Sequence, residues 1–158
     1  MGIQSFKTNK KKSIERTVTR SKNIYLNLLI KIYRFLARKT KSNFNSVILK
    51  RLFSSRFHQS PISLSRLVRY SDDKKKIIVV VGKVLNDERS VDISNLTICA
   101  LNFSIAAKKR ILENGGKTLT FDQLATICPT GKNTLLLRGT VKKKSIKVKR
   151  NLITKKVM

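Results

Sequence analysis

Apolar residues recur at helical spacing in the first half of the chain and at strand density in the second. Ile24, Tyr25, Leu28, Leu29, Ile32, Phe35 and Leu36 fall three and four apart, on one stripe of a helix. Ser21 suits an N-cap, so the pattern predicts a helix from there to about Lys39. Lys31, Arg34, Arg38 and Lys39 lie off the stripe. After the polar break Thr40-Lys41-Ser42-Asn43, a second stripe of Phe44, Val47, Ile48, Leu52 and Phe53 predicts a helix over 44–57. Lys50, Arg51 and Arg56 project elsewhere from it. Pro61 closes the connection, and a short helical turn over 63–69 follows.

The second half reads differently. Lys76–Gly82 is a β-branched run without alternation, the pattern of a strand buried on both faces. Asn86-Asp87-Glu88-Arg89 marks a turn, and 96–101 predicts another strand. Ser104 opens a helix to Glu113 that Asn114-Gly115-Gly116 ends, glycine supplying the left-handed cap. Thr120-Phe121-Asp122-Gln123 is a T-x-x-Q capping box opening a short helix to about Ile127. Pro129-Thr130-Gly131 breaks that helix, and Thr134–Gly139 predicts a final buried strand. The expected fold class is α/β. A single globular unit is expected over 21–141, helical over 21–70 and α/β over 71–141. Residues 1–20 have no hydrophobic periodicity and read as a basic extended arm; residues 142–158 read as a basic tail.

Charge turns this outline toward a partner. The 158 residues hold 36 Lys or Arg against 8 Asp or Glu, a net charge of +28, with 41% hydrophobic residues to build a core. A compact body with that excess repels itself unless a polyanion neutralises it. The excess is unevenly placed. Residues 23–70 hold ten basic residues and no acid, whereas 71–141 hold eleven basic residues and seven of the acids. Exposed helix faces normally mix signs, so an acid-free half makes sense where each cation meets a phosphate.

Candidate chemistry is sparse. Cys99 and Cys128 lie 29 residues apart in apolar stretches and read as buried small hydrophobes, with no CxxC or HxxxH pair to hold zinc. Thr126–Thr134 brushes against a phosphate-binding loop, but Thr126 stands where its first glycine belongs and Asn133 where its Ser or Thr belongs. Nothing in the sequence brings Cys128 and His58 together as nucleophile and base. Asp72-Asp73 and Asp87-Glu88 sit in turn-like stretches, and Asp122 suits a helix first turn. The expectation is a non-enzyme with no cofactor, no metal, no small-molecule substrate and no homo-oligomer.

The expected polyanion is RNA, held through backbone phosphates because no aromatic RNA-stacking motif is present. Candidate contacts on the arm are Lys10, Lys11, Lys12, Arg20 and Lys22. On the helices they are Arg34, Arg38, Lys39, Lys41, Lys50, Arg51, Arg56, Arg66 and Arg69, and on the tail Lys142, Lys143, Lys144, Lys147, Lys149 and Arg150. The alternative is a peripheral protein on anionic membrane, bound through the basic helix over 22–39. Against it, the apolar stripe is expected to be used in the core with the second helix. The longest apolar run, Ile77–Val81, is too short to span a bilayer, and the N-terminus has no apolar signal core.

Several blocks resemble one family. Ile24-Tyr25-Leu26, Lys31–Thr40, Phe44–Phe53, Pro61–Arg66, Val79–Gly82 and Cys99–Leu101 are similar to stretches of the eukaryotic and archaeal large-ribosomal-subunit protein numbered eighteen. The most specific match is Arg110-Ile111-Leu112 followed by Gly115–Ala125, and the blocks keep their order over about 20–140. The resemblance implies irregular stacked β-β-α units with an N-terminal helical pair and basic arms. It also implies a structural role in the cytosolic large ribosomal subunit, with large-subunit ribosomal RNA and neighbouring ribosomal proteins as partners, and passage through the nucleolus. Family members usually carry a longer C-terminal extension rich in Gly, His, Arg and Lys. Val141–Met158 does not match it, so that extension's contacts are not carried over.

Overall fold

The structure is a computed structural model and describes residues 18–19, 21–55, 58–71, 75–89, 93 and 95–140. The elements run α1 (Ile24–Thr40), α2 (Asn43–Phe53), β1 (Ile62–Ser63), α3 (Leu64–Tyr70), β2 (Ile77–Leu85), β3 (Thr97–Phe103), α4 (Ile105–Glu113), β4 (Lys117–Leu119), α5 (Phe121–Ile127) and β5 (Thr134–Leu137). Both arms predicted from sequence, 1–20 and 142–158, lie outside the described residues apart from Val18 and Thr19.

Side chains of β2 alternate between two cores, as pleating requires. Ile78, Val80 and Val84 pack with Leu64 and Leu67 of α3 and with Ala107 and Ile111 of α4. Val79 and Val81 pack with Leu29, Ile30 and Tyr33 of α1, Ile48 and Leu52 of α2, and Phe121 and Leu124 of α5. The sheet is thus the middle of three layers, which explains the unbroken apolar run in the sequence.

β2 pairs parallel with β3 along one edge, and β3 pairs parallel with β4. Along its other edge β2 pairs first with β5, from Ile77↔Thr134 to Val80↔Leu137, and then with β1, at Val84 and Leu85. Between Val80 and Lys83 the register with β3 shifts by an extra residue on β2. Gly82 falls in that shift. A Cβ there would lie 3.2 Å from the Ser60 carbonyl oxygen, so the chain entering β1 passes close over β2. Gly139 is tighter, since its Cβ would lie 2.3 Å from the Pro61 oxygen.

Helix boundaries follow local capping. Asn23, not Ser21, caps α1: its side-chain oxygen accepts from the Tyr25 amide at 3.0 Å, while Ser21 Oγ accepts from the Asn23 amide at 3.2 Å. Lys41 ends α1 in the left-handed region at φ 50. Ser104 Oγ accepts from the Ala107 amide at 3.2 Å to open α4, and the predicted capping box of Thr120 and Gln123 opens α5.

Three further expectations are corrected. First, α1 is turned by roughly a quarter of a turn from the predicted stripe. Its buried side chains are Leu29, Ile30 and Tyr33, while Ile24 is 76%, Leu28 50% and Phe35 50% exposed. That helix is apolar around much of its circumference, so periodicity alone could not choose its rotation. Second, α2 stops at Phe53 and not at 57; Ser54 is extended and its hydroxyl donates back to the Lys50 carbonyl at 3.0 Å. Third, β5 is half-buried because it lies on an edge of the sheet. β1 and β4, two and three residues long, are too short to show a period in the sequence.

Leu29→Ala should cost about 2–5 kcal/mol in urea unfolding, and Leu28→Ala about 0.5 kcal/mol or less. Equal losses would contradict this rotation of α1.

Candidate nucleic-acid interface

The cationic helices are docked on the sheet by polar anchors within apolar contact. The Tyr33 hydroxyl donates to the Phe121 carbonyl at 3.1 Å, and the two rings meet edge-on with centroids 5.9 Å apart. Asn45 is buried, and its amide donates to Thr40 Oγ1 at 2.9 Å and to the Pro129 carbonyl at 2.8 Å. Ser42 Oγ donates to the Thr130 carbonyl at 2.9 Å. Gly131, at φ +77, lies under the Phe44 ring, where a Cβ would come within 2.2 Å of Cδ1. The segment that brushes against a phosphate-binding loop is therefore the socket for the start of α2.

This docking leaves cations outward. Lys22, Arg34, Arg38, Lys39, Lys41 and Lys50 are exposed, as are Arg66 and Arg69 on α3. Lys31, which sequence reasoning did not select, is exposed between them on α1. Arg38 and Lys39 also occupy the last turn of α1, where the helix dipole favours positive charge. Arg34 stands 5.6 Å from the Phe53 ring centroid and Lys39 6.0 Å from that of Phe35, so both stems lie along apolar surface.

Arg51 differs from the others. It is half-buried, and its guanidinium donates to the Leu137 carbonyl at 3.0 Å, tying α2 to the end of β5. Burial, and then the neighbouring Arg138, lowers its pKa. Arg51 therefore carries a structural bond as well as charge. It also brings in exposed Arg138, which sequence reasoning missed because it follows an apolar strand. Arg66 reaches the same segment, donating to Thr140 Oγ1 at 3.2 Å. So α2, α3 and the chain leaving β5 bring Arg51, Arg138 and Arg66 along one edge of the sheet. Lys10, Lys11, Lys12, Arg20, Arg56, Lys142, Lys143, Lys144, Lys147, Lys149 and Arg150 lie outside the described residues.

The remaining titratable groups have structural settings. Burial pushes the Cys99 thiol up to about 12, since a thiolate would lose its hydration there. Cys128 caps the end of α5, its amide donating to the Leu124 carbonyl at 2.8 Å. His58 is exposed. Asp122 accepts from the Tyr25 hydroxyl at 3.0 Å. Among the described residues, no cluster of His, Cys, Asp or Glu could hold a metal ion. No described helix is long and apolar enough to cross a membrane.

A three-layer α/β body with a cationic helical layer and a cationic sheet edge is an architectural, polyanion-facing protein. The chain belongs to the family of ribosomal protein 60S L18 and 50S L18e, whose model matches residues 2–154. It is 52% identical over 141 residues to large ribosomal subunit protein eL18z of Arabidopsis thaliana, covering 88% of this chain and 75% of that one. It is 49% identical over 131 residues to eL18 of Drosophila melanogaster, covering 81% and 70%. The corresponding protein of Anopheles gambiae is 46% identical over 132 residues, covering 81% and 70%. This is a family of structural components and not of enzymes.

Arg51→Ala should destabilise the fold by about 1–3 kcal/mol, because it leaves the Leu137 carbonyl without its charged donor. Lys31→Ala should change stability by about 0.5 kcal/mol or less. Parallel urea titrations separate the two; an Arg51→Ala midpoint equal to that of the wild type would contradict the structural role.

Native Cys99 should resist iodoacetamide at neutral pH and react after unfolding, as read by peptide mass spectrometry. Rapid native alkylation would contradict its burial.

Proposed function

We propose that this protein is a structural constituent of the cytosolic large ribosomal subunit. It binds large-subunit ribosomal RNA, touches neighbouring ribosomal proteins and passes through the nucleolus during assembly. The observation that carries the reading is the acid-free stretch 23–70, most of whose described Lys and Arg face outward from α1, α2 and α3, in a chain of this family. Each cation that meets a phosphate releases condensed counterions, so binding draws on solvent entropy as well as on contact.

The organisation expected from sequence belongs to the same proposal: a folded unit over 21–141 flanked by basic arms that follow RNA. Ordering an arm costs about 1–2 kcal/mol per backbone residue, which phosphate contacts must offset. Lys10–Lys12, Arg20 and Lys22 serve the first arm. Lys142–Lys144, Lys147, Lys149 and Arg150 serve the second. Arg34, Arg38, Lys39, Lys41, Lys50, Arg51, Arg56, Arg66 and Arg69 serve the folded part.

The protein should sediment with large subunits and leave them only in high salt. Its affinity for isolated large-subunit RNA should fall steeply with salt, by about 10³–10⁵ between 50 and 200 mM for six to ten phosphate contacts. A flat salt dependence would remove the phosphate mechanism. Flotation with anionic liposomes after nuclease treatment, without sedimentation on ribosomes, would overturn the ribosomal role.

A further inference from the structure

Where β1 and β2 reach their C-terminal ends, the surface opens into a cavity of about 630 Å³. Open α/β sheets place ligand crevices beyond the C-terminal ends of parallel strands. Arg66 and Arg69 come to this cavity from α3, and Arg89 from the turn after β2. Pro61, Val68 and Leu85 give it an apolar wall.

Asp87 also lines the cavity, and its charge is already engaged. Its carboxylate accepts from Ser65 Oγ, and from the Arg89 amide at 3.2 Å. The Arg89 guanidinium lies 4.0 Å away. The Ser65 hydroxyl first, and then the Arg89 amide, hold the carboxyl below its ordinary range, so it stays ionised. The Asp87 carbonyl accepts from Arg110 at 2.7 Å, which fixes the turn from the side of α4. The rim is therefore braced by α3, α4 and the turn itself.

Three guanidinium groups against one carboxylate leave two positive charges in the cavity. A single phosphodiester supplies one negative charge, and two successive phosphodiesters supply two. The volume lies in the range of pockets that enclose one small organic ligand, about 300–1,000 Å³. The apolar wall suits a sugar or base and offers nothing to a bare anion. Guanidinium forks match phosphate oxygens in pairs.

We propose that this cavity holds one nucleotide of unpaired or sharply turned RNA, gripping its two flanking phosphates with Arg66, Arg69 and Arg89. The ribose or base then lies against Pro61, Val68 and Leu85. The proposal rests on the RNA-binding reading and adds a site to it. Arg89 lies outside the acid-free stretch and was not among the contacts selected from sequence. Its neighbours Asp87 and Glu88 make the segment look self-neutralised, whereas the fold divides Asp87 between Ser65 and Arg89 and adds Arg66 and Arg69 to the same cavity.

The test uses the full chain and fluorescence anisotropy with labelled oligouridylate, an RNA duplex and isolated large-subunit RNA. Arg66→Ala, Arg69→Ala and Arg89→Ala should each weaken oligouridylate binding about tenfold or more and lower the log–log salt slope by about one. Arg69→Lys should restore the slope but not the full affinity, because an ammonium cannot make the paired contact. Duplex binding should change less. Thermal melts report whether each variant folds, and Arg69→Lys, which keeps the charge, guards against loss through misfolding. Cavity variants that bind every RNA like the wild type, while Lys31→Ala and Arg38→Ala weaken it, would remove the cavity site and leave the RNA-binding reading standing. Wild-type protein without salt-dependent RNA binding would instead remove that reading. Competition by millimolar inorganic phosphate, or by an acidic peptide in place of RNA, would overturn the nucleotide assignment.

Discussion

Ile78 and Val80 point to one face of β2, Val79 and Val81 to the other, and all four are shut off from water. A strand buried on both faces can satisfy its backbone only by pairing along both edges. It therefore draws β3 to one side and β5 and β1 in succession to the other. The extra residue between Val80 and Lys83, with Gly82 inside it, lets the chain entering β1 pass close over the strand. Both helical layers then depend on this strand, because each covers one of its faces.

That dependence separates two uses of polar residues. Where layers meet, polar groups are few and paired. Tyr33 reaches the Phe121 carbonyl, Asn45 reaches Pro129, and Arg51 reaches the Leu137 carbonyl. Away from the seams, the cations of α1–α3 face outward. Three acids of the α/β half serve local structure: Asp122 by the Tyr25 hydroxyl, Asp87 by Ser65 and Arg89, and Glu113 3.7 Å from Lys109 on α4. Among the described residues, α1, α2 and α3 carry exposed cations with no acid beside them in the sequence. This suits a protein that neutralises RNA while its fold holds itself together by other means.

Much of this was legible beforehand. The run Ile77–Val81 declared a doubly buried strand, and the box at Thr120 and Gln123 declared a helix start. Both are local signals carried by adjacent residues. The acid-free stretch 23–70 declared a polyanion partner, because charge balance needs no coordinates. What failed were choices between equivalent local answers. Ser21 and Asn23 could each cap α1, and α1 had two overlapping apolar stripes. Tyr33 settles the rotation through its bond to Phe121, 88 residues away.

The sequence by itself determined the class of the fold, the order of its main elements and the sign of its partner. Those depend on periodicity, capping and composition, which are properties of short windows or of the whole count. The tertiary structure alone decided which face of α1 is buried. It also decided that Pro129–Gly131 is a socket for α2, and that Arg66, Arg69 and Arg89 surround one cavity. Each of these depends on residues distant in the chain meeting in space, and only the pairing of strands about β2 sets those distances.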